Sequence, residues 1–194
     1  MAQVRARHPR FVTAVVADAQ EAARTRGERD AFRGRRDAMA QILRLAWKSD
    51  GFLGLCFYRA QAHLDASGKP WLAGLAHHLA AMTSDVRIGE MVIIEPGIFI
   101  AHGGVVVDGY VEIGRGTALM PSVTIGLQDH PLLVGLRGPT IGRDARICTG
   151  AKVLGPITIG DGAFVGANAV VLDDVPSNAT AVGIPARVVA ERAT

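Results

Sequence analysis

Aromatic side chains are scarce in this chain: six Phe, two Trp and two Tyr stand among 194 residues. A core without large rings has to be filled by aliphatic and small side chains, which suits stacked short strands better than a few large helices. Cysteine is scarcer still. Cys56 and Cys148 lie far apart, so they offer neither a disulfide framework nor a metal-ligand spacing, and a reducing cytoplasm is the expected setting. The formal charge is only +3. The basic residues crowd between Arg5 and Lys48, but Asp18, Glu21, Glu28, Asp30 and Asp37 are interleaved with them. That mixture reads as a solvated helical face, and no nucleic-acid partner is expected. No apolar run is long enough to span a membrane. Arg5, Arg7 and Arg10 do precede a short apolar stretch, Phe11 to Ala17, in the manner of a leader. Asp18 ends that stretch at once, and Phe11, Val12, Val15, Val16 and Ala19 fall at helical spacing, so a helix is expected and export is not.

The chain changes period near Thr83. Before that point the spacing is helical. Ser49-Asp50 is a cap before a helix carrying Phe52, Leu55 and Cys56, and Leu72, Leu75, Leu79 and Met82 mark another. Ala66-Ser67-Gly68-Lys69-Pro70 is a stop and restart between them. Three or four short helices are expected between about residues 10 and 82.

After Thr83 the period is six. Aliphatic residues recur at Ile88, Ile94 and Ile100, then at Val107, Ile113, Leu119 and Ile125, then at Ile141, Ile147, Val153, Ile159, Val165 and Val171. Small residues follow four places on at Val123, Ala145, Ala151, Ala163 and Ala169, and Ala118 is read as another of these. A six-residue repeat fits a triangular coil, in which each hexad supplies one flat strand and one corner and three hexads make a turn. The aliphatic residue points inward and stacks on its equivalent one coil away; each coil contacts mainly its neighbours, so the ends need caps. The fold expected is mainly β with α: a parallel β-helix over residues 83–194, preceded by an α-helical segment over residues 1–82. The known hexapeptide coils are left-handed, and that hand comes from the repeat class rather than from the spacing.

Two breaks interrupt the phase. The step from Ile100 to Val107 is seven residues and contains His102. The step from Ile125 to Ile141 is sixteen, so ten extra residues must leave the prism as an external loop over residues 127–138. Loops on rigid scaffolds are where sites are usually built.

These residues resemble the serine acetyltransferases among the hexapeptide acyltransferases. The likeness runs from about residue 50 to 190. It is carried by Gly150-Ala151-Lys152-Val153-Leu154-Gly155, by Val170-Val171-Leu172-Asp173-Asp174-Val175-Pro176 and by Val182 through Val189; Ser49-Asp50 through Tyr58-Arg59 looks like the end of that family's helical domain. The resemblance implies acyl transfer from acetyl-CoA to a small hydroxyl acceptor. In the family a His beside an inward aliphatic residue is the general base, and Ile100-Ala101-His102-Gly103-Gly104 matches that place. An imidazole is suited to drawing the proton from a hydroxyl near neutral pH. The family pairs this His with carboxylates, and the matching positions here are Arg87 and Ala101. A second family His is replaced by Gly138, and the turn after His102 is one residue shorter. The orienting group for His102 is left open among Asp85, Glu95 and a backbone carbonyl. Arg137 matches the family's carboxylate-binding Arg, and His130 lies in the loop as a second acceptor contact. CoA is expected along an edge of the helix at Gly126, Leu127, Thr149, Ala151 and Ala167, with Arg187 toward a phosphate. A homotrimer or dimer of trimers is implied.

The carboxy-terminal tail does not end in the manner of family members that bind cysteine synthase, so that complex is not expected. No metal is expected either: three-His zinc sites need more than His102 and His130. Two other readings stand beside the enzyme, namely a non-catalytic trimeric scaffold and an N- or O-acyltransferase for a sugar or specialised metabolite.

Overall fold

The computed structural model describes residues 2–127 and 137–191. Four helices occupy the stretch where three or four were expected: α2 (Phe11–Thr25), α3 (Arg35–Lys48), α4 (Asp50–Ala66) and α5 (Pro70–Ser84). A fifth, α1 (Ala2–Arg7), precedes them. It is held by Arg7, whose guanidinium donates to both oxygens of Glu112 at 2.6 and 2.7 Å. Ser49 caps α4, its hydroxyl accepting from the Phe52 N–H at 3.3 Å. Pro70 opens α5 at its first turn, where the missing N–H costs nothing.

Strands then follow in threes. The first coil is β1 (Val86–Ile88), β2 (Ile93–Ile94) and β3 (Phe99–Ile100). The second is β4 (Val105–Val107), β5 (Tyr110–Ile113) and β6 (Ala118–Leu119). The third is β7 (Thr124–Gly126), β8 (Arg137–Ile141) and β9 (Arg146–Ile147). The fourth is β10 (Lys152–Leu154), β11 (Thr158–Ile159) and β12 (Phe164–Val165). A fifth coil begins with β13 (Val170–Val171) and β14 (Ala179–Gly183), and β15 (Ala186–Glu191) folds back antiparallel on β14. The result is a left-handed parallel β-helix with three faces: sheet A (β1, β4, β7, β10, β13), sheet B (β2, β5, β8, β11) and sheet C (β3, β6, β9, β12, β14, β15).

The register explains the period. Ile88, Val107, Ile125, Val153 and Val171 stack on one another through sheet A, and equivalent columns run through the other two faces. All thirteen aliphatic positions of the repeat are at most 2% exposed. One small-residue assignment is corrected. Thr117, not Ala118, lies four places after Ile113; it is fully buried, and its hydroxyl donates to the Gly142 carbonyl at 2.8 Å. Ala118 instead faces outward into an apolar cluster with Val15, Leu45, Phe52 and Phe99, under the helices. A threonine fits the inner corner because its one polar group finds a partner there.

Many corners hold a residue in the left-handed region. Along the edge from sheet C to sheet A these are Gly104, Ser122, Gly150 and Asn168, one per coil. Gly, Asn and Asp visit that region at low cost, which is why they mark the corners. Successive corners are about 4.8 Å apart, the spacing of hydrogen-bonded strands.

Helix α4 docks on the first coil through a buried ion pair. The Arg59 guanidinium donates to Asp18 of α2 at 2.8 Å and to the carbonyl oxygens of Ile94 and Glu95 at 2.6 and 2.9 Å. Asp18 in turn accepts from the N–H groups of Gly97 and Ile98. Both side chains are at most 2% exposed. The helices thereby cap the open end of the prism.

Candidate active site

His102 sits on the C–A edge of the first coil, between β3 and β4. Its turn holds one residue more than its equivalents: four steps separate Ile100 from Gly104, but three separate Leu119 from Ser122 and Ile147 from Gly150. The extra residue pushes the imidazole outward, and the side chain is 67% exposed. Its Nδ1 lies 3.2 Å from Oδ1 of Asp50, the first residue of α4. The same carboxylate accepts from the Gly51 N–H at 2.9 Å and, through Oδ2, from the Gly103 N–H at 3.2 Å. Partial burial pushes the Asp50 carboxyl upward, but the Gly51 and Gly103 N–H groups and the imidazole outweigh it and hold it below its ordinary value. An ionised Asp50 fixes a proton on Nδ1, which leaves Nε2 as the acceptor nitrogen.

Asp50 was read from the sequence only as part of a helix cap. Its contact with His102 bridges 52 positions, which no local pattern reports. The usable signal was Gly51 beside it. A Cβ at Gly51 would collide with the Ile100 carbonyl, so only glycine lets the start of α4 lie against the backbone next to His102.

The two carboxylates expected from the sequence do not orient the imidazole. Asp85, a left-handed residue ending α5, forms an ion pair with Arg87 at 2.9 Å. Only its backbone serves the His102 turn, its carbonyl accepting from the Gly104 N–H at 2.8 Å. Glu95 lies after β2, toward the edge from sheet B to sheet C. It accepts from the Arg115 N–H at 3.0 Å and pairs with Arg143 at 3.4 Å, and these partners, the Arg115 bond foremost, lower its carboxyl. The substitutions away from the family pattern have local causes. Ala101 packs its methyl against the apolar cluster beneath the helices. Gly138 is buried, and a Cβ there would stand 2.7 Å from Val111 Cγ2, so a side chain at this position requires Val111 to shift.

The acceptor and cofactor candidates are spread over two edges and one face. Thr149 and Ala167 are exposed on the same C–A edge as His102, two and three coils along. The edge is continuous, because the Gly150 N–H donates to the Pro121 carbonyl and the Asn168 N–H to the Thr149 carbonyl, both at 2.9 Å. Ala151 is corrected. Its methyl is fully buried inside the prism, and its N–H and carbonyl are bonded to Cys148 and Thr124, so it presents nothing to a ligand. Gly126 and Leu127 lie at the opposite margin of sheet A, where Gly126 approaches the Asp108 carbonyl. Arg187 reaches Asp173 at 3.5 Å near the carboxy-terminal end. Arg137 opens β8 and lines a cleft of 480 Å³ on sheet B with Tyr110, Glu112 and Thr140. Within one chain that cleft does not include His102. Of the loop expected over residues 127–138, residues 128–136, His130 among them, lie outside the described residues, and Arg137 and Gly138 belong to β8 instead. Among the described residues no group of three or more His, Cys, Asp or Glu side chains is placed to hold a metal ion, and no helix is long and apolar enough to cross a membrane.

Comparison with known proteins agrees with the fold. Residues 138–173 match the family model of the bacterial transferase hexapeptide, six repeats. The serine acetyltransferase of Mycobacterium tuberculosis is 34% identical over 167 residues, covering 86% of this chain and 72% of that protein. The chain belongs to the serine acetyltransferase family. The enzyme of Bacillus pumilus is 44% identical over 122 residues, covering 62% of this chain. The match takes in 55% of that relative's length, so it spans little more than half of it. A solved serine acetyltransferase in complex with CoA superposes with a TM-score of 0.74 at 28% identity, covering 96% of this chain and 73% of that one.

Proposed function

We propose that this chain transfers an acetyl group from acetyl-CoA to the hydroxyl of serine or a closely related small molecule, with His102 as general base. The observation that carries the reading is the Asp50–His102 pair, in which a carboxylate holds Nδ1 on the same C–A edge that carries the exposed Thr149 and Ala167. Nε2 takes the hydroxyl proton as the oxygen attacks the thioester carbonyl. The tetrahedral intermediate collapses with loss of the CoA thiolate, and the imidazolium returns the proton to that sulfur. Asp50 keeps the imidazole in the useful tautomer and stabilises its cation, as an orienting carboxylate does in other His-dependent acyl transfers.

CoA lies along the C–A edge past Thr149 and Ala167, where small side chains let the pantetheine approach the backbone. A homotrimer is the assembly proposed, by family likeness, with each site shared between subunits. It supplies a reason for Arg137 standing on another face of its own chain: the Arg137 cleft of one subunit would complete the site of the next.

The test is thiol release from acetyl-CoA with L-serine, homoserine, sugars and amines as acceptors. His102→Ala is expected to lose roughly 10²–10⁴-fold in turnover while still binding CoA. Equal turnover by wild type and variant would remove His102 from the chemistry. Arg87, Ala101 and Gly138, which replace the family's two carboxylates and its second His, favour the scaffold as the second reading; CoA binding without turnover on any acceptor would establish it.

A further inference from the structure

Helix α3 carries two apolar lines, and the fold uses only one of them. Leu45 is fully buried, and Ile42 and Ala46 pack against the cluster beneath the helices. Met39, Leu43 and Trp47 follow one another at four-residue steps, which makes them neighbours on a different side of the helix. They are 58%, 64% and 91% exposed. An unbroken line of large apolar side chains on a surface marks a place where something docks.

The charges around this line are unbalanced. Two nearby acids are already taken: Asp37 pairs with Arg29 at 2.7 Å, and Glu28 pairs with Arg44. Between Glu28 and Lys48 that leaves Asp30 against Arg33, Arg35, Arg36 and Lys48, all exposed and none of them in an ion pair among the described residues. Arg36 stands three positions before Met39 and seven before Leu43, so it heads the apolar line itself, and Lys48 follows Trp47 at the far end. The mixed basic and acidic stretch of the sequence thus becomes, once its acids are paired off, a cationic border around an apolar ridge.

That combination is complementary to the surface of an anionic membrane. Aliphatic chains and an indole enter the headgroup layer, and cations meet the phosphates at its level. A helix seated in this way lies on the bilayer and needs neither the length nor the uniform hydrophobicity of a spanning one. A second copy of this chain is a poorer occupant. A two-fold contact sets Arg35 and Arg36 against their own equivalents or against Lys48, and it supplies no anion. A helical peptide is a poorer one too, because it is gripped in a groove, whereas Trp47 projects from the surface. We propose that the exposed face of α3 docks on anionic lipid, with Leu43 and Trp47 entering the headgroup layer and Arg35, Arg36 and Lys48 meeting its phosphates. The surface is separate from the acyl-transfer chemistry, and its test does not depend on turnover.

The experiment is co-sedimentation of the full chain with vesicles of phosphatidylcholine alone and of phosphatidylcholine mixed with phosphatidylglycerol. Tryptophan emission is read in parallel in a Trp71→Phe background, where Trp47 is the remaining indole. Wild type should sediment with the mixed vesicles and not with phosphatidylcholine alone, and added salt should release it. On binding, Trp47 emission should move to shorter wavelength. Arg35→Gln with Arg36→Gln should lower the partition coefficient roughly 30-fold, about fivefold for each cation removed. Leu43→Gln with Trp47→Gln should lower it roughly tenfold or more. Both pairs are exposed, so thermal midpoints near that of wild type show that the fold is kept. No binding to the mixed vesicles overturns the proposal, as does equal binding to both kinds or binding that neither double variant weakens. Capture by poly-glutamate without capture by vesicles would assign the face to an acidic protein instead. A larger assembly in sedimentation equilibrium, dissolved by the Leu43 and Trp47 changes and indifferent to lipid, would assign it to a second copy.

Discussion

The prism and the helical cap are held together in opposite ways. In the prism each stabilising contact is repeated: Ile94, Ile113, Ile141 and Ile159 perform the same task in four successive coils, each almost fully buried. In the cap the decisive contacts occur once. Among the described residues a single buried ion pair, Asp18 with Arg59, joins α2 and α4 to the first coil. A single glycine, Gly51, sets how closely α4 approaches β3. Redundancy makes the prism tolerant of change at any one coil, and uniqueness makes the cap fragile. The candidate site lies on the seam, with His102 from the prism and Asp50 from the cap, so its geometry depends on the fragile partner.

The comparison breaks most visibly at the ion pair. Asp18→Ala leaves a buried guanidinium uncompensated and the N–H groups of Gly97 and Ile98 without their acceptor. It is expected to cost about 3–5 kcal/mol in urea denaturation. Replacing both partners, as Asp18→Leu with Arg59→Met, should recover part of that loss, because an apolar pair removes the stranded charge but not the orphaned N–H groups. A cost near zero for Asp18→Ala would mean that the cap is held by its apolar cluster instead. Gly51→Ala comes next, at about 1–3 kcal/mol, the usual cost of forcing a methyl into a filled space. It should also lower kcat, because the displaced helix carries Asp50 away from His102. Ile94→Val and Ile159→Val test the redundancy directly. Each should cost about 0.5–1.5 kcal/mol, and the two should agree within about 0.5 kcal/mol although they lie at opposite ends of the same column. A clear inequality would show that the coils are not equivalent units.

The same contrast decides how much of the molecule was legible in the sequence. The prism was legible almost residue by residue, because stacking imposes a period that a single chain must repeat. The one small-residue misplacement, Ala118 for Thr117, arose where an outward residue is buried by the cap and so resembles an inward one. The helices were legible as helices, but their docking was not. Asp18 reads as a charge on a solvated helical face, and Arg59 only as the end of a helical segment, until the fold brings them together across 41 positions. The site divides along the same line. His102 was legible because it sits in a break of the period. Asp50 was not, because its partner lies on a different structural layer. Asp85 and Glu95 were near His102 in sequence, and nearness along a coil is a poor guide where each corner turns successive strands onto different faces.

The smallest effect on stability, and the one that most sharpens the seam, is expected from Asp50→Asn. Asp50 is partly exposed, so its contribution to folding is modest, and screening by water reduces it further. Its direction with pH is nevertheless fixed. The folded-state value lies below the ordinary 3.8, so the unfolded chain binds the proton more readily. The stabilisation is then present above about pH 4 and is lost as the pH falls through the lower folded value. Thermal midpoints of wild type and Asp50→Asn should differ near neutrality and converge in acid. In turnover the same variant should fall roughly tenfold, the lower end of what one charge-assisted hydrogen bond supplies when both groups are partly solvated. The asparagine can still meet Nδ1 through its side-chain oxygen, so orientation is largely kept while the negative charge is lost. A deficit that persists unchanged at high pH, with KM for the acceptor unaltered, assigns the loss to stabilisation of the imidazolium. A rise in KM with kcat unchanged would move Asp50 from the base to the acceptor's binding surface.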